Sequence, residues 1–247
     1  MIVPPKAKNF SGSLQMVTEI YFALKDVLIA HSTSPLVGDE GGYAPVLYSN
    51  VDGFKIIEDA IGKAGYNLGL DIFFSLDAAA NSIKQGSTYK IKDRPAPLPT
   101  SDFIDFYIML DEQYHFLSIE DPLAEDDWDG WCSLTEKLGD KTLIVADDLT
   151  TTNIERLNKA ISKKAANAII IKPNQIGTIT ETIKVVKTAK NANFKIIASH
   201  RSGETNDDSI ADFAVGLGAD YVKFGAPARG ERVAKYNRLL EIEHELS

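Results

Sequence analysis

With one cysteine, Cys132, in 247 residues, this sequence can form no internal disulfide. Such a thiol-poor composition suits a reducing compartment, and the cytoplasm is the expected location. Long apolar runs are also missing, with none near the roughly 18 residues that a membrane span requires. The start does not resemble a signal peptide: Met1-Ile2-Val3 gives way at once to Pro4-Pro5 and then to Lys6 and Lys8. Positive charge is in deficit, since 26 Lys+Arg against 35 Asp+Glu leave a net charge of −9. That argues against a nucleic-acid partner, for which a basic surface is usual. It does not exclude a small anionic substrate, because a few lysines, an arginine and metal ions can build a positive pocket inside an acidic protein.

What is present is ordinary for a globular protein, 44% hydrophobic and 25% charged. The length fits one α/β barrel or two small domains. No linker or composition break divides the chain, so residues 1–247 read as a single domain.

Apolar residues at 14–28 (Leu14, Val17, Ile20, Tyr21, Leu24, Val27, Leu28) recur at helical spacing. A second helix is expected over 53–64, capped by Asp52 and stopped by Gly65. From there the rhythm is strand, loop, helix. Short apolar runs at 72–76, 116–119, 143–146, 168–171, 195–198 and 220–222 lack clean alternation, as expected of parallel strands covered on both faces. Helices are expected to begin at Ser101, at Thr152 or Asn153, at Thr178 with a capping box to Glu181, at Ser209 and at Val233. Strands separated by helices point to a parallel α/β sheet. The Lys- and Pro-rich segment 84–100 reads as a long surface loop.

The informative pattern lies where the strands end. In order, the six runs lead into Asp77, Glu120, Asp147, Lys172, Ser199-His200-Arg201-Ser202 and Lys223. In α/β barrels the carboxyl ends of the strands build the active site. One such residue after a strand is often a helix cap or a solvated loop residue, so the succession carries the argument. Asp77, Glu120 and Asp147 are hard oxygen ligands that suit Mg²⁺, and no Cys or His accompanies them as zinc would prefer. Cationic neighbours and desolvation lower a lysine's pKa, which would let a strand-end lysine act as a base. Arg201 and Ser202 can hold a phosphate.

Longer motifs carry a family resemblance. Gly38-Asp39-Glu40-Gly41-Gly42-Tyr43-Ala44-Pro45, Ser118-Ile119-Glu120-Asp121-Pro122 with Glu125-Asp126-Asp127-Trp128, and Val145-Ala146-Asp147-Asp148-Leu149 are three of them. Ile171-Lys172-Pro173-Asn174-Gln175-Ile176-Gly177, Ser199-His200-Arg201-Ser202-Gly203-Glu204-Thr205 and Gly225-Ala226-Pro227-Ala228-Arg229 complete the set. Together they make the chain resemble the enolase family over essentially its whole length.

The resemblance implies a TIM-like (β/α) barrel of the enolase type, incomplete at its N-terminal strands. It implies a Mg²⁺-dependent lyase of glycolysis that reversibly dehydrates 2-phosphoglycerate to phosphoenolpyruvate. Glu40 would be the general acid and Lys172 the general base. Asp77, Glu120 and Asp147 would hold Mg²⁺, two ions serving each site in the complete family enzyme. Ser199, His200, Arg201, Ser202 and Lys223 would contact substrate, together with the ligands Glu120 and Asp147. Asp39, Asn174 and Gln175 would be supporting positions. Family members carry an N-terminal domain and two opening strands, of which this sequence would keep only the end of the second, near Met1–Pro4, so weak or no turnover is expected of this chain alone. A homo-oligomer is expected of the full-length protein. The alternative is a non-catalytic enolase remnant that acts as a binding protein. Two departures stand out: Ala78-Ala79-Ala80-Asn81-Ser82 lacks the glutamate and aromatic residues that often follow the first ligand, and Pro173 replaces an aliphatic residue beside the base.

Overall fold

The computed structural model describes residues 1–247. The chain opens with β1 (Ile2–Val3), α1 (Phe10–Ala30) and α2 (Asn50–Lys63), then β2 (Phe73–Asp77). Three short strands follow: β3 (Lys84–Gln85), β4 (Thr88–Tyr89) and β5 (Leu98–Pro99). Next come α3 (Thr100–Tyr114), β6 (Phe116–Glu120), α4 (Trp128–Leu138), β7 (Leu143–Ala146), α5 (Ile154–Lys163) and β8 (Ala168–Ile171). The short α6 (Pro173–Ile176) precedes α7 (Ile179–Asn191), β9 (Lys195–Ser199), α8 (Ser209–Gly216), β10 (Tyr221–Lys223) and α9 (Gly230–Leu246). No helix is long and apolar enough to cross a membrane.

The main sheet has seven strands in the order β1-β2-β6-β7-β8-β9-β10. Its fold class is that of an incomplete α/β barrel. Parallel pairing joins β2 to β6, β6 to β7, β7 to β8 and β8 to β9. The absence of alternation is explained by burial: all four residues of β8 are buried, and Ala168 and Ile170 form a cluster with Val145 and Ile197.

Several boundaries differ from expectation. The cap of α2 is Ser49 rather than Asp52, because Asp52 sits three residues in and completes a reciprocal capping box. Segment 84–100 is not a simple loop but holds the antiparallel sheet β3-β4-β5. Its charge masks two buried anchors, Tyr89 and Ile91. Helix α4 takes the expected place between two strands, but no start is legible for it, since its apolar stripe is reduced to Trp131, Leu134 and Leu138.

By contact density the chain forms two compact units. The first comprises Met1, Phe74–Ser199 and Leu217–Val222. Within it Tyr89 stacks on Phe103 at 4.9 Å, and Trp131 donates its indole N–H to the Ala124 carbonyl at 3.0 Å. Met1 takes part in the ladder, since Ser75 N–H donates to its carbonyl at 3.0 Å.

The second unit comprises Ile2–Phe73, His200–Gly216 and Lys223–Ser247. It contains α1, α2, α8 and α9. The Tyr21 ring of α1 stacks on Tyr43 at 4.6 Å and its hydroxyl donates to the Gly41 carbonyl at 2.8 Å, which ties the 38–45 loop to this helix. Four residues of α9 face inward at helical spacing: Arg232, Lys235, Leu239 and Ile242.

Candidate active site

In the first unit, parallel register sets the carboxylates. Asp77 of β2 pairs with Glu120 of β6, so the two end their strands at one level. Glu120 and Asp147 are buried, whereas Asp77 is exposed and accepts the Ala79 N–H at 3.1 Å. The tightest acidic group is Asp121, Asp147 and Asp148, whose ligand atoms lie within 4.8 Å of one another. It shares only Asp147 with the trio expected from the sequence. Asp121 acts as a brace here: its carboxylate accepts the backbone N–H of Asp147 at 3.0 Å and of Asp148 at 3.0 Å. Burial pushes the Asp121 carboxyl up to about 8, against those backbone hydrogen bonds. Asn81 bridges the same region, donating to Asp148 at 2.9 Å and accepting from Glu125 N–H at 3.0 Å.

The backbone after these strands is strained. Ala79, Asp121, Thr151 and Thr152 have φ of 42°, 43°, 48° and 52°, the left-handed region that residues other than glycine rarely enter. Such clusters concentrate where a fold must aim side chains.

Lys172 closes a ring of contacts. Its ammonium pairs with Asp147, both side chains being largely buried. Its N–H donates to the Thr152 hydroxyl at 3.0 Å, and that hydroxyl donates to Gln175 at 2.7 Å. Gln175 donates back to Asp147 at 3.1 Å. Pro173 fits because it takes the first turn of α6, where its missing N–H costs nothing. Ser199 ends β9 and is buried.

In the second unit, Glu40 is the centre. Its carboxylate lies 3.2 Å from His200 Nε2 and accepts the Ser202 hydroxyl at 3.3 Å. The His200 hydrogen bond holds the Glu40 carboxyl below its ordinary value of 4.5, with Lys223 and Ser202 adding to it and burial opposing. The backbone keeps these partners adjacent: Ala226 N–H donates to the Glu40 carbonyl at 2.9 Å, and His200 N–H to the Lys223 carbonyl at 2.9 Å. Arg201 is exposed, and its backbone N–H donates to Glu204 at 3.0 Å.

Two residues were missed by sequence reasoning. Arg232 is 1% exposed and Lys235 is 0% exposed. The Arg232 guanidinium donates to the carbonyls of Asp39, Arg201 and Ser202. The Lys235 ammonium donates to the carbonyls of Thr205, Asp207 and Glu231 and pairs with Glu204 at 3.0 Å. Thus α9 holds both the Glu40 loop and the His200 segment. A signal existed: positions 232, 235, 239 and 242 make one helical face, and two cations occupy it.

The expected residues therefore fall into two sets. Asp77, Glu120, Asp147, Lys172 and Ser199 belong to the first unit, and Glu40, His200, Arg201, Ser202 and Lys223 to the second. The model of the family described as "Enolase, C-terminal TIM barrel domain" matches residues 1–247. Strand-end chemistry, sheet order and this end-to-end match agree, and the chain belongs to the enolase C-terminal barrel family.

Proposed function

We propose that this chain carries the enolase reaction, the Mg²⁺-dependent reversible dehydration of 2-phosphoglycerate to phosphoenolpyruvate, in the cytoplasm. The observation that carries the reading is the pair of networks around Lys172 and Glu40, one basic group and one acidic group each fixed by neighbours of its own.

Asp77, Glu120 and Asp147 suit a hard divalent cation, being carboxylates alone. Asp147 already presents its oxygens to a cation, the Lys172 ammonium. When bound, Mg²⁺ would supply positive charge to offset the second negative charge that develops on a carboxylate losing its α-proton. Lys172 would take that proton as the neutral amine, the form that a cation bound beside it at Asp147 would favour. Lys223 and Arg201 would hold the anionic groups of the substrate, and Arg201 offers a fork of donors for the phosphate.

Glu40 is a carboxylate at neutral pH, with its pKa held below the ordinary 4.5. In the hydration direction that form takes a proton from the attacking water. In the dehydration direction the same group returns the proton to the departing hydroxyl. An anionic substrate that neutralises Lys223 removes one of the influences that keep Glu40 ionised, and so favours the protonated donor.

The test is calorimetric titration of Mg²⁺ into the chain with and without 2-phosphoglycerate, beside an ultraviolet assay for phosphoenolpyruvate. We expect Mg²⁺ to bind more tightly with substrate present, and any turnover to vanish in Lys172→Ala. Absence of Mg²⁺ binding in a folded sample would sink the reading.

A further inference from the structure

Arg232 reaches His200 directly, and that contact decides which ring nitrogen carries the proton. Its Nη1 lies 2.7 Å from His200 Nδ1 and 2.7 Å from the Arg201 carbonyl oxygen. A guanidinium has N–H donors only and keeps its proton in proteins. Nδ1 must therefore present its lone pair. A proton on Nδ1 would face an Arg232 proton head-on, and an imidazolium there would set two cations in contact. The remaining ring proton lies on Nε2, 3.2 Å from the Glu40 carboxylate. The Glu40–His200 distance alone would equally suit an ion pair. An ion pair, however, needs the Nδ1 proton that the Arg232 contact excludes.

We propose that Arg232 is a positioning residue that fixes His200 as the neutral Nε2–H tautomer, so that His200 is a one-way hydrogen-bond donor to Glu40. The charged groups around the ring are Arg232 of α9, Glu40 of its loop, Lys223 of β10, and Arg201 and Glu204 on the ring's own segment, with Lys235 of α9 paired to Glu204. Of these, the Arg232 guanidinium is in direct contact with Nδ1, at 2.7 Å. The ring itself is 3% exposed.

The chemical consequence is a division of labour. His200 cannot exchange charge with Glu40, because a neutral ring that gave up its Nε2 proton would become an imidazolate. Of this pair, Glu40 alone is left to carry proton traffic. The place of this arrangement in catalysis rests on the proposed function, whereas the tautomer does not.

The chain has four histidines, and His31, His115 and His244 are exposed. His31→Gln, His115→Asn and His244→Gln together leave His200 as the one ring to observe. Asparagine suits position 115 because its φ of 54° is left-handed. With ¹⁵N-labelled histidine, long-range ¹H–¹⁵N correlation at neutral pH reads the tautomer without any activity. We expect one pattern, protonated Nε2 and unprotonated Nδ1. A protonated Nδ1, an imidazolium or an averaged mixture of tautomers overturns the proposal.

On that background Arg232→Met keeps length and removes every donor, and the two nitrogens should then shift towards averaged values. Should that variant not fold, Arg232→Lys, still a donor-only cation, should retain the pure Nε2–H pattern. An unchanged pattern in folded Arg232→Met, or Nδ1–H in Arg232→Lys, also overturns the assignment of the role to Arg232.

Discussion

Gly225 leaves the space that the stem of Arg232 fills. A Cβ at position 225 would stand 2.9 Å from Arg232 Cδ and 2.8 Å from the Glu40 carbonyl oxygen, and the glycine has φ of +90°. The segment after β10 thus passes between the buried cation and the loop that bears Glu40.

Gly225→Ala is therefore expected to combine two penalties. The left-handed backbone costs about 1–2 kcal/mol for a residue with a Cβ, and overpacking adds about 1–3 kcal/mol. Gly177→Ala is the control: its φ is +97°, but nothing lies within 4 Å of the added carbon. Urea denaturation should show the larger loss for Gly225→Ala. Equal losses would mean that the crowding relaxes without cost.

Lys235→Met should destabilise the chain by about 3–5 kcal/mol, the usual result of breaking a buried ion pair from one side. Three carbonyls and the Glu204 carboxylate would lose their donor together. Glu204→Gln should cost less, because that side chain keeps 18% exposure and its amide can still accept from Lys235. The order of the two denaturation midpoints checks this.

Glu40 makes stability depend on acid in a defined window. Its ordinary pKa is 4.5 and its folded value lies below that, a depressed carboxylate. The stabilisation it contributes is complete above about pH 4.5 and is lost as pH falls below that, through the depressed folded value. The stability difference between wild type and Glu40→Gln should be widest at neutral pH and close through that window. A difference that is flat with pH would show that the His200 and Ser202 contacts do not favour the charged form.

Asp147 is shared between Lys172 and any cation placed at the strand ends, so the two compete. Lys172→Met should bind Mg²⁺ more tightly, by about 10-fold if removing the like charge is worth ~1.4 kcal/mol. Asp147→Asn should weaken Mg²⁺ binding by on the order of 10–100-fold or more. Calorimetry reads both, and an unchanged affinity in Lys172→Met would mean that ammonium and metal do not meet at Asp147.

The strands were readable because burial on both faces makes them apolar runs: β7 and β8 have the bounds that the sequence suggests, and the other four shift by a residue at one or both ends. The strand-end groups were readable for a related reason, since a lone Asp or Lys after four isoleucine-like residues has no packing role to play. The 84–100 sheet was not, because two buried side chains, Tyr89 and Ile91, are lost among prolines and lysines. The tight trio with Asp121 was hidden as well, because only a left-handed turn at that residue aims its carboxylate at the next strand's loop. Arg232 and Lys235 look like the solvated cations of any surface helix, and their partners are backbone carbonyls that no side-chain pattern announces.

The Asp39 carbonyl waits 193 residues for Arg232. During synthesis the Glu40 loop leaves the ribosome long before the guanidinium that holds it exists, and loop closure over such a separation is among the costliest steps in folding. Assembly of this unit is thus timed by its final helix. In a refolding experiment with pulsed hydrogen exchange, amides of the first unit's central strands should gain protection early. Those of α9 and of the His200 N–H should gain it together, and late.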